Sequence, residues 1–232
     1  MSQTIAKFVS ASILTVSAAT LPGLSTAGTS VVFGDPKPNV PETDCNGISY
    51  EWTVTLGKPA RAGFVHHVGA KSWNEPPPFY TPPETGWTHT SNFVALELKK
   101  AAKVRIEISR QQGVLMPTII TDPTSGSPAI GYNLAGSKLF PAFSIWKGWE
   151  EEACEYTAHR YNNAGPIAWA PALEYVANQP NSAGWTTATL VRSLPAGKYT
   201  VAIGGANVSF CSPTDAACYG GRQGYRASIS TE

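Results

Sequence analysis

Charge of one sign, methionine, histidine and long apolar runs are all scarce in this 232-residue chain, and each shortage removes a class of function. Charged residues make up 14% of the sequence, against about 25% in an ordinary globular domain. Seventeen lysines and arginines face sixteen acids. The sequence therefore has neither the basic footprint of a nucleic-acid partner nor an acidic interaction tail. No apolar stretch approaches the ~20 residues that span a bilayer. No Cys-x-x-Cys pair marks a zinc site, and no Gly-x-Ser-x-Gly elbow marks a serine hydrolase. Four histidines are the whole supply, too few for catalytic metal hydrolysis, which usually wants three ligands and a nearby base. The expectation is a non-enzymatic protein. What the chain does have is 21 glycines, 19 prolines and seven tryptophans, a mix that suits strands joined by long ordered loops.

The N-terminus gives the compartment. Lys7 precedes an apolar run from Phe8 to Ala19, then come Leu21-Pro22-Gly23 and the small residues Ser25-Thr26-Ala27, the order of a secretory signal peptide. Cleavage is expected after Ala27, which predicts an exported chain at the outer cell surface, in the periplasm or released. Loss of Lys7 leaves sixteen basic residues against sixteen acidic ones. The new N-terminus is Gly28, so a copper brace built on an N-terminal histidine is excluded. Cys45, Cys154, Cys211 and Cys218 form an even set in an oxidising compartment, where disulfides are the default. Three pairings are open. Cys211 with Cys218, inside one turn-rich loop, is favoured, which leaves Cys45 with Cys154 to close a long loop.

Period-two patterns dominate the rest. Tyr50–Leu56, Phe93–Leu98 and Val104–Ile108 alternate and read as half-buried strands; Thr187–Val191 and Tyr199–Ile203 flank a tight turn, and a last strand lies near Tyr225–Ser230. The predicted fold is all-β: an antiparallel β-sandwich with long irregular loops and at most one or two short helices. Residues 1–27 are the signal peptide, 28–48 an N-terminal arm, and 49–232 a single sandwich domain. Between about 121 and 185 the strand pattern breaks down, which predicts a loop-rich insertion rich in tryptophan, glycine and proline. The one helical pattern, Trp149–His159, places Glu155 one turn before His159.

The histidines fall into two kinds. His66 and His67 lie in the strand-like Phe64–Val68, where neighbouring side chains point to opposite faces and do not share a metal. His89 and His159 sit in loop or loop-borne segments, and His89 is two residues after Trp87 in Gly86-Trp87-Thr88-His89-Thr90.

Trp-x-His after a proline-rich loop, with a second histidine far downstream in an exported β-rich chain, resembles the copper-binding surface proteins of methane-oxidising bacteria, the MopE and CorA type. The resemblance runs from roughly Tyr50 to the C-terminus. It implies that one tryptophan is oxidised to kynurenine, and that kynurenine and two histidines hold a single copper ion, mostly as Cu(I). Carried onto this sequence, Trp87 is the residue modified, and His89 and His159 are the imidazole ligands. Glu155 would then orient the His159 ring by accepting from its free nitrogen. Two neutral imidazoles with few other donors favour Cu(I), and Met116 is the only methionine after Ala27, so this is not a thioether-rich carrier. Intact tryptophan is a poor ligand, offering only an N–H donor and a π face. Ring opening supplies an aromatic amine and a ketone instead. The implied role is copper acquisition or buffering at the cell surface. Such relatives also carry calcium, for which Asp122, Asn207 and Asp215 offer oxygen atoms that spacing does not assign.

A second class of function stands beside this one. A calcium-stabilised surface sandwich would bind carbohydrate or a cell-wall partner through Trp73, Trp146, Trp149, Trp169 and Trp185, which lie in or beside Gly/Pro-rich loops.

Overall fold

The computed structural model describes residues 28–36, 47–82, 84–88, 90–121, 124, 126–153, 166–206, 214 and 221–232. The described strands are β1 (Ser30–Phe33), β2 (Trp52–Leu56), β3 (Ala60–Gly69), β4 (Trp73–Asn74), β5 (Gly86–Trp87), β6 (Asn92–Leu98) and β7 (Ala102–Arg110). They continue with β8 (Leu115–Thr121), β9 (Pro128–Leu134), β10 (Pro141–Lys147), β11 (Glu174–Gln179), β12 (Thr187–Leu194), β13 (Gly197–Gly205) and β14 (Arg222–Thr231). Among the described residues there is no helix.

Two sheets face each other. One has six strands in the order β1-β2-β6-β13-β10-β11 and the other has four in the order β12-β7-β14-β3. Every pair is antiparallel except β2 with β6. The chain between those two strands first contributes β3 to the opposite sheet and then the β4–β5 ribbon, the kind of long excursion that parallel neighbours need. β7 shows why the alternation was legible. Val104, Ile106 and Ile108 point inward between the exposed Lys103 and Arg105 and the half-buried Glu107. Against them the six-stranded sheet sets Val54, Leu56, Val94, Leu96, Phe143, Ile145, Val201 and Ile203. Each large side chain fully buried here contributes about 1.5–3 kcal/mol.

The six-stranded sheet is also covered on its other face. There Phe93, Ala95, Ala142, Trp146 and Ala202 meet a layer of Ile48, Tyr50, Trp73, Trp87, Ile167 and Leu173. β6 is therefore buried on both faces rather than half-buried. Three of the sheet positions under this layer are alanine, and that leaves room for indole rings.

Two sequence expectations change. The stretch from 121 to 185 carries β9, β10 and β11, and β10 is an interior strand of the six-stranded sheet. Because Pro141 to Trp146 are buried on both sides, β10 shows no alternation to read. The described part of the expected helix, Trp149–Ala153, is not helical. Its backbone is committed elsewhere: the Glu150 carbonyl accepts from Ile48 N–H at 3.0 Å and the Ala153 carbonyl from Gly47 N–H at 2.8 Å.

One glycine fixes how the covering layer sits. At Gly205 an added Cβ would stand 2.6 Å from the Ala70 carbonyl oxygen and 2.7 Å from that of Gly69. The Gly205 N–H also donates to Ser72 Oγ at 2.8 Å. The 69–73 turn thus lies directly on the end of β13. Gly205→Ala is expected to destabilise the fold by about 1–3 kcal/mol through forced backbone displacement. Urea unfolding would show this as a lower midpoint with an unchanged slope.

Candidate metal centre

The β4–β5 ribbon pairs Trp73 with Trp87 and Asn74 with Gly86. Three further contacts hold its exit. Thr88 N–H donates to the Ser72 carbonyl at 2.9 Å, Ser91 Oγ donates to the same carbonyl at 2.8 Å, and Asn74 Nδ2 donates to the Glu84 carbonyl at 3.0 Å. Just beyond, Ser91 N–H returns to the Thr88 carbonyl at 2.9 Å, and Thr90 N–H donates to Thr88 Oγ1 at 3.2 Å. The chain on either side of position 89 is therefore tied down, although His89 itself lies outside the described residues.

Trp87 is fully buried. Its ring meets Phe93, Trp169 and Trp146 edge-on, with centroids 5.0, 5.7 and 6.5 Å away. This arrangement suits the ring quadrupoles. The polar edge is not satisfied: the indole N–H groups of Trp87 and of its strand partner Trp73 have no acceptor among the described residues. A buried donor left without a partner costs about 1–3 kcal/mol. The same layer satisfies other indoles, since Trp146 Nε1 donates to Ser144 Oγ at 2.8 Å and Trp149 Nε1 to the Tyr199 carbonyl at 3.0 Å.

A buried acid closes the neighbouring loop. The Glu150 carboxylate accepts from the backbone N–H of Ala153 at 2.9 Å, Glu152 at 3.1 Å and Ala172 at 3.2 Å. One side chain thereby joins the chain just before residue 154 to the chain just after residue 165. Glu150 is itself placed by Tyr50, whose hydroxyl accepts from Glu150 N–H at 2.9 Å and lies 2.9 Å from Thr200 Oγ1. Thr200 Oγ1 passes its own proton to the Gly148 carbonyl. Burial holds the Tyr50 hydroxyl well above its ordinary pKa and keeps it neutral. Gly47, which completes the contact, has φ +80°, and a Cβ there would collide with the Glu150 carbonyl. Tyr50 and Glu150 carry no local signal, being 100 residues apart. A second buried acid, Glu75, accepts from Asn181 N–H at 2.7 Å, and burial raises its pKa.

His66 and His67 depart from strict alternation. Their rings stack with centroids 4.4 Å apart. His66 Nδ1 lies 3.3 Å from Asn92 Oδ1, and its ring sits among Phe33, Trp52 and Tyr225. Imidazole lone pairs lie in the ring plane, so near-parallel rings do not converge on one metal.

Of the sequence-predicted site, only Trp87 falls within the described residues. His89, His159, Glu155, Asp122, Asn207, Asp215 and all four cysteines lie outside them. Among the described residues no group of three or more His, Cys, Asp or Glu side chains could hold a metal. The tryptophans proposed for sugar stacking divide: Trp73 and Trp146 are core residues, Trp149 and Trp169 are partly buried, and Trp185 is 57% exposed.

Fold and site together define an all-β sandwich with a tryptophan-rich layer over one sheet. No protein-family model matches the chain, and no characterised protein matches it in sequence. Among solved structures it is similar to CorA of Methylomicrobium album BG8, a surface-associated copper-binding protein important in copper acquisition. The identity is 16% over 73% of this chain and 93% of that one, with a TM-score of 0.46. It is also similar to a mercury-soaked form of MopE, a secreted protein of Methylococcus capsulatus in which an oxidised tryptophan facilitates copper binding. There the identity is 12% over 88% of this chain and 94% of that one, with a TM-score of 0.40. At these values the likeness assigns no residue and no activity.

The histidine pair gives a pH prediction. Burial lowers the pKa of His66, and burial with the neighbouring His66 and Arg222 charges lowers that of His67 to about 4. Between pH 6.5 and about 4 the unfolded chain therefore binds more protons than the folded one. Stability present above pH 6.5 is lost as pH falls through that window, by on the order of 2 kcal/mol. Denaturant melts across the window should show the fall, and His67→Gln should flatten it.

Proposed function

We propose that this chain is an exported copper-binding protein that acquires or buffers copper at the cell surface. In this reading it holds one Cu(I) between His89, His159 and a kynurenine made from Trp87, and it performs no catalysis. The observation that carries the reading is the state of Trp87, buried in an aromatic box with an indole N–H that has no acceptor among the described residues. Intact, that edge is an electrostatic cost at a position the ribbon fixes; opened to an amine and a ketone, it supplies donor atoms to an ion held by the imidazole two residues on. Copper bound there would supply the oxidising chemistry with dioxygen as oxidant: both oxygen atoms would add across the C2–C3 bond of the indole to give N-formylkynurenine, and water would then release the formyl carbon as formate, leaving the amine and the ketone. The protein's own part is to hold the ring still between Phe93, Trp146 and Trp169.

Other features support the same reading. Glu150 ties together the two ends of the segment that bears Glu155 and His159. The Gly47–Ala153 hydrogen bond sets the chain just after Cys45 beside the chain just before Cys154, which supports that pairing and leaves Cys211 with Cys218. With their sulfurs joined, histidine and the modified tryptophan remain as soft-metal donors. The reading agrees with the copper binding of CorA and MopE and does not rest on it. Surface glycan binding has less support, because Trp185 alone of the five candidate tryptophans is exposed.

The test uses protein exported through its own signal and purified from outside the cytoplasm. Metal analysis is expected to find one copper per chain, and peptide mass spectrometry is expected to find kynurenine at position 87. A non-reducing peptide map should join Cys45 to Cys154 and Cys211 to Cys218. His89→Ala, His159→Ala and Trp87→Phe should each weaken Cu(I) binding at least tenfold in chelator competition, about 1.4 kcal/mol. Copper-free protein whose Cu(I) affinity is unmoved by the two histidine changes would overturn the reading.

A further inference from the structure

The β8–β9 hairpin is unlike the rest of the surface. Its strands pair only with each other, and a lone two-stranded ribbon is marginally stable in water. The register sets Leu115 opposite Leu134, Pro117 opposite Tyr132 and Ile119 opposite Ile130, so these six side chains share one face. Five of them are widely exposed: Leu115 60%, Ile119 81%, Ile130 72%, Tyr132 62% and Leu134 66%. Of the twelve large apolar residues exposed among the described residues, six belong to this hairpin. Concentration of that kind marks an interaction surface rather than scattered exposure.

We propose that this face docks a second copy of the same chain, hairpin against hairpin across a two-fold axis. The area fits. Five side chains at these exposures present roughly 600–700 Å² of apolar surface, close to the ~800 Å² per partner of a stable interface. The charge also fits. Between Arg110 and Lys138 in the sequence there is no lysine or arginine, and Asp122 is the only acid. Two such faces meet without repulsion, whereas a lipid surface is usually engaged through basic residues flanking the apolar ones. A self-complementary apolar face is what an isologous dimer requires. The second hairpin also supplies the packing surface that the first one lacks. The inference is independent of the copper reading, since it uses none of the residues on which that reading rests.

Sedimentation of the purified exported protein between about 1 and 100 µM tests this. A dimer is expected, and Ile119→Lys with Tyr132→Lys should raise its dissociation constant at least tenfold while circular dichroism and the thermal midpoint hold. Ile130→Asp gives a second disruption of the same face should the first variant fold poorly. Asn133→Lys, on the opposite face of the hairpin, should leave the dimer intact. A wild-type monomer throughout the range would overturn the proposal. So would a dimer that survives both face variants, one lost equally with Asn133→Lys, or a monomer that floats with phosphatidylcholine vesicles.

Discussion

The structure depends on one sheet being buried twice. The strands β6, β13 and β10 must offer branched and aromatic side chains to the sandwich core on one face, and a second apolar surface to the tryptophan layer on the other. Alternation makes this workable. Val94 and Leu96 turn inward while Phe93 and Ala95 turn outward, and Val201 and Ile203 do the same around Ala202. Alanine at the outward positions brings the covering layer close, and Gly205 lets the 69–73 turn rest on the sheet. The β4–β5 ribbon, with Trp87 on it, takes its place from that contact.

A layer made of loops rather than strands has no ladder to hold it, so its fixed points are side chains. Glu150 is one: three backbone donors converge on its carboxylate, and Tyr50 and Thr200 connect that acid to the sheet. Asn181 is another, bonded through its amide group to Pro141 and Trp185 and through its N–H to Glu75. Such contacts carry the layer's stability, because each replaces several hydrogen bonds that regular structure would otherwise supply.

This division explains what the amino-acid pattern revealed. Strands with one face in the core and one toward solvent, such as β7, were readable from period two, and so was the all-β class. β10 was not, because burial on both faces turns Pro141–Trp146 into an apolar run without alternation. β4 and β5 are two residues each, and the hairpin β8–β9 mixes Met116 and Ile120 with Thr118 and Asn133 on the face that alternation would have needed to be polar. The helix expected over Trp149–His159 does not form in its described part, where Glu150 uses its side chain to fasten a loop instead. At the candidate site Trp87 was marked by its spacing to His89. Tyr50 and Glu150 were invisible because only the tertiary fold brings them together.

Two indoles of the tryptophan layer are satisfied close at hand. Trp146 finds Ser144 two residues away, and Trp149 finds a backbone carbonyl. Trp73 and Trp87 are paired across two-residue strands and both are fully buried, yet neither indole N–H is met among the described residues. Packing alone would select phenylalanine or leucine at such a position, since a buried donor without an acceptor costs more than the ring's extra area recovers. Local violations of this kind concentrate where a side chain serves chemistry rather than stability. Trp87 stands two residues before position 89 in the sequence, and the chain on both sides of that position is held by hydrogen bonds.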